Sequence, residues 1–141
     1  MKYAVNDLDE FVRFSATVSG QVGLYCGTSE RFAPFFMLAG AEGYTSGAGV
    51  LCPRLTLALH RALTVGDYAG GMKLMALIRP IEDFRAQDND SFSISFLKAA
   101  LQLAGIDFGP PRPPQRRLTA EERAQIARLI EPILQAEQGE G

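Results

Sequence analysis

The sequence contains few of the residues on which metal centres and disulfide-stabilised folds depend. His60 is its one histidine, and it has no tryptophan. Zinc sites draw three or four ligands mainly from histidine and cysteine, so we expect no metal site. The two cysteines, Cys26 and Cys52, form neither a CxxC motif nor a disulfide-rich pattern. We therefore expect any catalytic chemistry to come from other side chains, without a metal or a cofactor.

The chain also lacks a strong net charge and a long apolar run. Its formal charge is −2, which gives no basic surface for a nucleic acid or an anionic membrane. No apolar run approaches the roughly 20 residues that span a bilayer. The first residues include Asn6, Asp7 and Asp9 and do not resemble a secretory signal. We expect a cytoplasmic protein with neither a nucleic acid nor a membrane as its partner.

The first third of the chain alternates between strand and helix patterns. Apolar strand patterns cover 1–5, 21–26 and 44–46, and helical spacing covers 8–18 and 30–38. Short connections between such elements are typical of a parallel sheet covered by helices. The sequence therefore predicts an α/β arrangement for this part.

Helical patterns fill the rest of the chain. Pro53 is suited to the first turn of a helix, and apolar residues then recur at helical spacing. Ser91 or Ser93 can cap a further helix. Thr119 and Glu122 form a capping-box pattern in front of the last apolar stripe. We expect several packed helices after the α/β part.

Three motifs follow the predicted strands in order: Lys2 with Asp7, Gly27-x-x-Glu30, and the glycine-rich segment 40–47 with Thr45-Ser46. In this order they resemble the dihydrodipicolinate synthase/N-acetylneuraminate lyase family of class I aldolases. The similarity runs from Lys2 to about Ile133. It implies an α/β fold, the C-terminal part of a TIM (β/α)8 barrel. Residues 1–51 would supply the equivalents of strands six to eight, and 52–141 the last barrel helix and a C-terminal helical region.

The resemblance also implies a chemistry. The family's lysine forms an imine with a 2-keto acid, and Lys2 falls on it as the catalytic residue. Gly27, Glu30, Thr45 and Ser46 fall on positions that bind substrate. Such an amine must lose its proton before it attacks a keto carbon, and the resulting iminium then draws electrons from the neighbouring bonds. The function implied is a Schiff-base-forming lyase, an aldolase or dehydratase, acting on pyruvate or a sugar-derived keto acid.

The same residues also have ordinary structural interpretations. Lys2 can be a solvated lysine, and Glu30 can stabilise a helix N-terminus. Thr45 and Ser46 are common residues at strand ends. Thr45-Ser46-Gly47, with Arg85 and the loop around Asn89, is more similar to the sugar-acid dehydratase and aldolase branches of the family.

The family barrel needs about 250 residues, and this sequence does not contain the family's threonine-rich motif or its tyrosine proton shuttle. We expect the chain to be inactive alone, and its partners to be a small 2-keto acid and either a missing N-terminal barrel half or further copies in a homo-oligomer. A second hypothesis makes it a non-catalytic helical assembly module derived from the same fold.

Overall fold

A parallel three-stranded sheet forms the first part of the molecule in the computed structural model, which describes residues 1–139. Its strands are β1 (Lys2–Tyr3), β2 (Tyr25–Cys26) and β3 (Gly43–Tyr44), in the order β1-β2-β3. The register pairs Tyr3 with Cys26 and Cys26 with Tyr44. The predicted parallel pairing is confirmed, but each strand is shorter than its apolar pattern. The strands are short because neighbouring strands pair with each other over only two residues.

Two helices pack on this sheet. Helix α1 (Leu8–Val18) begins after Asp7, whose Oδ1 accepts from the backbone N–H of Glu10 at 2.8 Å, as its sequence position predicts. Helix α2 (Ala33–Leu38) begins three residues later than predicted, because residues 30–32 form a turn in which the Phe32 N–H donates to the Ser29 carbonyl and the Ala33 N–H to the Glu30 carbonyl. Phe11 and Phe36 lie 4.8 Å apart between their ring centroids and are fully buried against Tyr3.

The remaining elements are a single 3₁₀ turn (Ala48–Val50), the helices α3 (Pro53–Thr64), α4 (Tyr68–Arg85), α6 (Ser93–Leu103) and α7 (Ala120–Gln138), and between α4 and α6 a short segment α5 (Gln87–Asp90). In α5 the backbone is left-handed, with φ of 48° at Asp88 and 56° at Asn89, so this segment is a turn, in agreement with the polar loop that its sequence predicts. The apolar stripes of the helices meet in the larger core, where Leu59, Ile78, Phe96 and Ile126 have no exposed surface. The predicted stripes of α3 and α7 are confirmed as core faces. None of the helices within residues 1–139 is both long and apolar enough to cross a bilayer.

The last helix is attached to the rest by charged contacts as well as by its apolar face. The capping box at Thr119 and Glu122 is present as predicted, and Arg116 holds Glu122 through two hydrogen bonds. These contacts lower the pKa of Glu122 to about 2. At the other end, the Glu137 carboxylate accepts from the backbone N–H groups of Arg54 and Leu55 at 2.7 and 2.9 Å. It thus caps α3, whose first backbone N–H groups have no partner within the helix.

Candidate functional site

The carboxyl ends of the three strands open into one cleft. The Gly27 N–H donates to the Tyr3 carbonyl at 2.6 Å, and the Thr45 N–H donates to the Cys26 carbonyl at 2.9 Å, so the residues that follow the strands share one edge. A cleft of about 530 Å³ lies there. Ligand sites of parallel α/β proteins are found at this edge.

Lys2 lines the cleft, and Gly27 makes room for it. A Cβ added to Gly27 would lie 2.7 Å from the Tyr3 carbonyl oxygen and 2.8 Å from Lys2 Cγ. Any larger residue would push β1 away from β2 or displace the lysine side chain. The structure therefore brings these two predicted site residues into contact. Their roles in binding and catalysis stay predictions.

Thr45 and Ser46 also line the cleft, directly after β3. The Thr45 hydroxyl donates a long hydrogen bond, 3.5 Å, to the Cys26 carbonyl. The Ser46 hydroxyl accepts from the Gly49 N–H at 2.6 Å and donates to the carboxylate of Glu30. Ser46 thus joins the cleft surface to a buried acid.

Glu30 itself is fully buried and lies behind the cleft rather than on its surface. Its Oε1 accepts from Ser46, and its Oε2 has no partner among the described residues. Burial, and then the negative charge of Glu82, raise its pKa to about 7, against the lowering effects of Ser46 and Arg85. Glu30 therefore does not line the cleft surface in this structure, and the substrate-binding role that the resemblance implies for it stays a prediction. Ser46 stands between Glu30 and the cleft.

Helices α4 and α6 supply a charged group that the strand motifs do not contain. The Arg85 Nη1 donates to Glu82 Oε1 at 2.6 Å, and Nη2 donates to Ser93 Oγ at 2.9 Å. Ser93 does not cap α6, which begins without a side-chain cap, and its hydroxyl holds the arginine instead. Gly47 allows this approach, since an added Cβ would overlap the Arg85 guanidinium.

These three polar residues were not predicted as a cluster. Glu82 and Arg85 lie in the last turn of α4, and Ser93 begins α6; all three line the cleft. The one signal in the sequence was the similarity of the segment around Arg85 to the sugar-acid branches of the family. Their contact depends on how two helices pack against the strand ends, which periodicity does not specify.

Comparison with known proteins tests the family relationship that the three strand-end motifs indicate. The model of the dihydrodipicolinate synthetase family matches residues 1–133. The chain belongs to this family. The α/β character expected from the resemblance agrees with the three parallel strands and with the fold of its relatives.

Its relatives include several named activities. Over 137 residues it is 32% identical to a protein named probable 5-dehydro-4-deoxyglucarate dehydratase 1 from Streptomyces avermitilis, covering 92% of this chain and 44% of that protein. Dihydrodipicolinate synthase from Oceanobacillus iheyensis superposes with a TM-score of 0.88 at 32% identity, covering 93% of this chain and 44% of the other. The N-acetylneuraminate lyase of Proteus mirabilis superposes with a TM-score of 0.77 at 28% identity, covering 97% and 44%.

The chain therefore spans less than half the length of the relatives that it matches. The names of these relatives are those of a dehydratase, a synthase and a lyase.

Proposed function

We propose that this chain supplies the Schiff-base lysine and part of the substrate cleft of a lyase, an aldolase or dehydratase, that acts on a 2-keto acid. One observation carries the proposal: Lys2, Gly27, Thr45 and Ser46 all line the same cleft at the carboxyl ends of parallel strands. In this assignment the Lys2 amine attacks the keto carbon, water leaves, and the iminium accepts the electrons of the bond that breaks.

The other cleft residues would orient the substrate. Thr45 and Ser46 carry hydroxyl groups that can hydrogen-bond a carboxylate or a hydroxyl, and Gly27 keeps Lys2 at the cleft edge. Because several relatives are named as dehydratases of 5-dehydro-4-deoxyglucarate, we propose a sugar-derived keto acid as the substrate class. Pyruvate is the smallest probe that carries the same 2-keto acid group.

We further propose that the isolated chain forms the imine but does not turn over a substrate. The sequence has no equivalent of the threonine-rich motif and the tyrosine proton shuttle that the resemblance leads one to expect upstream of the lysine. Imine formation requires the amine and the cleft, whereas turnover also requires a group that moves protons on the substrate.

The test is to incubate the chain with pyruvate, reduce it with borohydride and locate any adduct by peptide mass spectrometry. The sequence has three lysines, Lys2, Lys73 and Lys98, so the map is simple. We expect an adduct on Lys2 that is lost in Lys2→Arg and kept in Lys73→Arg. Label on the Met1 amine or spread over all lysines, with none specific to Lys2, would contradict the proposal. Turnover of a keto acid by the chain alone would contradict its inactivity.

Exposed apolar side chains favour a second candidate, the non-catalytic assembly module. Phe35 and Leu38 on α2, and Val12 on α1, are 45%, 69% and 47% exposed. Light scattering coupled to size exclusion would separate the two functions. A defined homo-oligomer that forms no adduct with pyruvate would favour the module, and an adduct on Lys2 would favour the lyase.

A further inference from the structure

The Glu30 carboxyl group has an unusual set of neighbours for a buried acid. Two carboxyl groups, Glu30 and Glu82, share one cation, and Arg85 gives its short contact to Glu82. The negative charge of Glu30 in turn helps to raise the pKa values of Tyr44 on β3 and of Cys52, which precedes α3. Neither is cationic. A buried carboxylate without a paired cation is costly, so the protonated form of Glu30 is favoured.

The orphaned Oε2 of Glu30 supports the same conclusion. An ionised carboxylate has about four acceptor sites, and this one is bonded by the Ser46 side chain and influenced by its own backbone N–H, while Oε2 has no hydrogen-bond partner among the described residues. A neutral acid leaves only a weak carbonyl acceptor unsatisfied. The pKa of Glu30, raised to about 7 chiefly by burial, is consistent with this geometry.

The Ser46 hydroxyl has one hydrogen to donate, and its oxygen already accepts from the Gly49 N–H. When Glu30 is ionised, that hydrogen points to the carboxylate, and Ser46 can offer the cleft only a lone pair. When Glu30 is protonated, its O–H can donate to Ser46 Oγ. The serine hydrogen is then free to point into the cleft.

We propose that Glu30 is a positioning residue that acts through Ser46, so that Ser46 donates a hydrogen bond into the cleft only while Glu30 carries a proton. The group that accepts this hydrogen bond is the carboxylate of a 2-keto acid. The choice of this ligand rests on the proposed function. A proton on Glu30 then raises the affinity of the cleft for the carboxylate. By linkage, a carboxylate bound in the cleft raises the pKa of Glu30.

The test is a pH titration of the full chain by NMR, with carbon-13 at the glutamate side-chain carboxyl. The Glu30 signal is identified as the one absent from Glu30→Gln. We expect its midpoint well above that of the other glutamates, and higher still, by at least about half a pH unit, in Ser46→Ala, because the hydroxyl bond favours the charged form more strongly. A matched Thr45→Ala variant should leave the midpoint unchanged. A Glu30 midpoint in the ordinary glutamate range overturns the proposal.

Repeating the titration with saturating pyruvate tests the link to the cleft. We expect pyruvate to raise the Glu30 midpoint in the wild type but not in Ser46→Ala, whereas plain charge repulsion would raise it in both. In Glu30→Gln the amide can donate to Ser46 permanently, so pyruvate affinity should lose its dependence on pH between about 6 and 8.

The two proposals fail in different ways. An unmoved Glu30 midpoint with a borohydride-trapped adduct on Lys2 overturns the positioning role and leaves the Schiff-base role intact. A midpoint that moves through Ser46, without any adduct on Lys2, supports the positioning role and contradicts the Schiff-base role. If pyruvate neither moves the midpoint nor forms an adduct, both are wrong.

Discussion

Buried side chains find partners more completely in the helical core than behind the strand-end cleft. In the core, apolar side chains such as Phe96 and Ile126 are completely buried against one another. Behind the cleft, Glu30 is equally buried but keeps an oxygen without a partner, and Ser29 adopts a left-handed backbone conformation. Proteins retain unsatisfied groups and unfavourable conformations chiefly where function requires them. We therefore expect the helical core to contribute most of the free energy of folding, and the buried acid behind the cleft to reduce it.

Truncation in the helical core should have the largest effect on stability. We expect Phe96→Ala to lower the free energy of unfolding by about 3 to 5 kcal/mol, because it leaves a cavity where a fully buried ring packs against Phe84. Phe108→Ala, at a ring that is 63% exposed, is the control and should change stability by less than about 0.5 kcal/mol. Urea denaturation measures both; equal effects would show that the helices are not the stable region.

The next largest effect should be a dependence of stability on pH that comes from Glu30. The unfolded carboxyl ionises near its ordinary pKa of 4.5, whereas the folded one keeps its proton until about pH 7. The folded chain therefore binds more protons in this range, and its stability should fall by on the order of 2 to 3 kcal/mol as the pH rises from about 5 to 8.

Glu30→Gln should remove that part of the pH dependence, and Glu131→Gln, at an exposed position, should not. The measurement is the free energy of unfolding in urea at several pH values. A wild-type curve parallel to that of Glu30→Gln would contradict the prediction.

A smaller effect is expected from Gly27→Ala, at the contact between β1 and β2. The new methyl would meet the Tyr3 carbonyl and Lys2 Cγ, and relieving this overlap should cost about 1 to 3 kcal/mol and reduce the pyruvate adduct on Lys2. Gly109→Ala is the control, since Gly109 has a φ of +70° but no atom near its Cβ position. It should lose about 1 kcal/mol and keep the adduct; equal adduct losses in both variants would argue against a specific contact.

The smallest effect should come from the cap of α3. Glu137→Ala leaves the N–H groups of Arg54 and Leu55 without their acceptor, and we expect a loss of about 1 kcal/mol. Glu131→Ala on the same helix provides the comparison and should have little effect. Thermal unfolding of the two variants at equal concentration would distinguish them.

The parts of the fold that could be predicted from sequence are those specified by neighbours along the chain. Pro53 and the Thr119–Glu122 box mark helix starts because capping involves residues three apart. The strand lengths could not be predicted, since pairing requires segments about 20 residues away. For the site, the motifs carrying Lys2, Gly27 and Ser46 pointed to one cleft. The burial of Glu30 and its sharing of Arg85 with Glu82 depend on tertiary packing that no local pattern encodes.

The contact between Glu137 and the start of α3 joins residues more than 80 positions apart. Removing residues 137–141 takes away this acceptor and weakens a helix that begins at Pro53, far away along the chain. A purification tag at this end is best joined through a flexible spacer, and limited proteolysis that clips the tail should be followed by hydrogen exchange at Arg54 and Leu55 as the sensitive reporter of its loss.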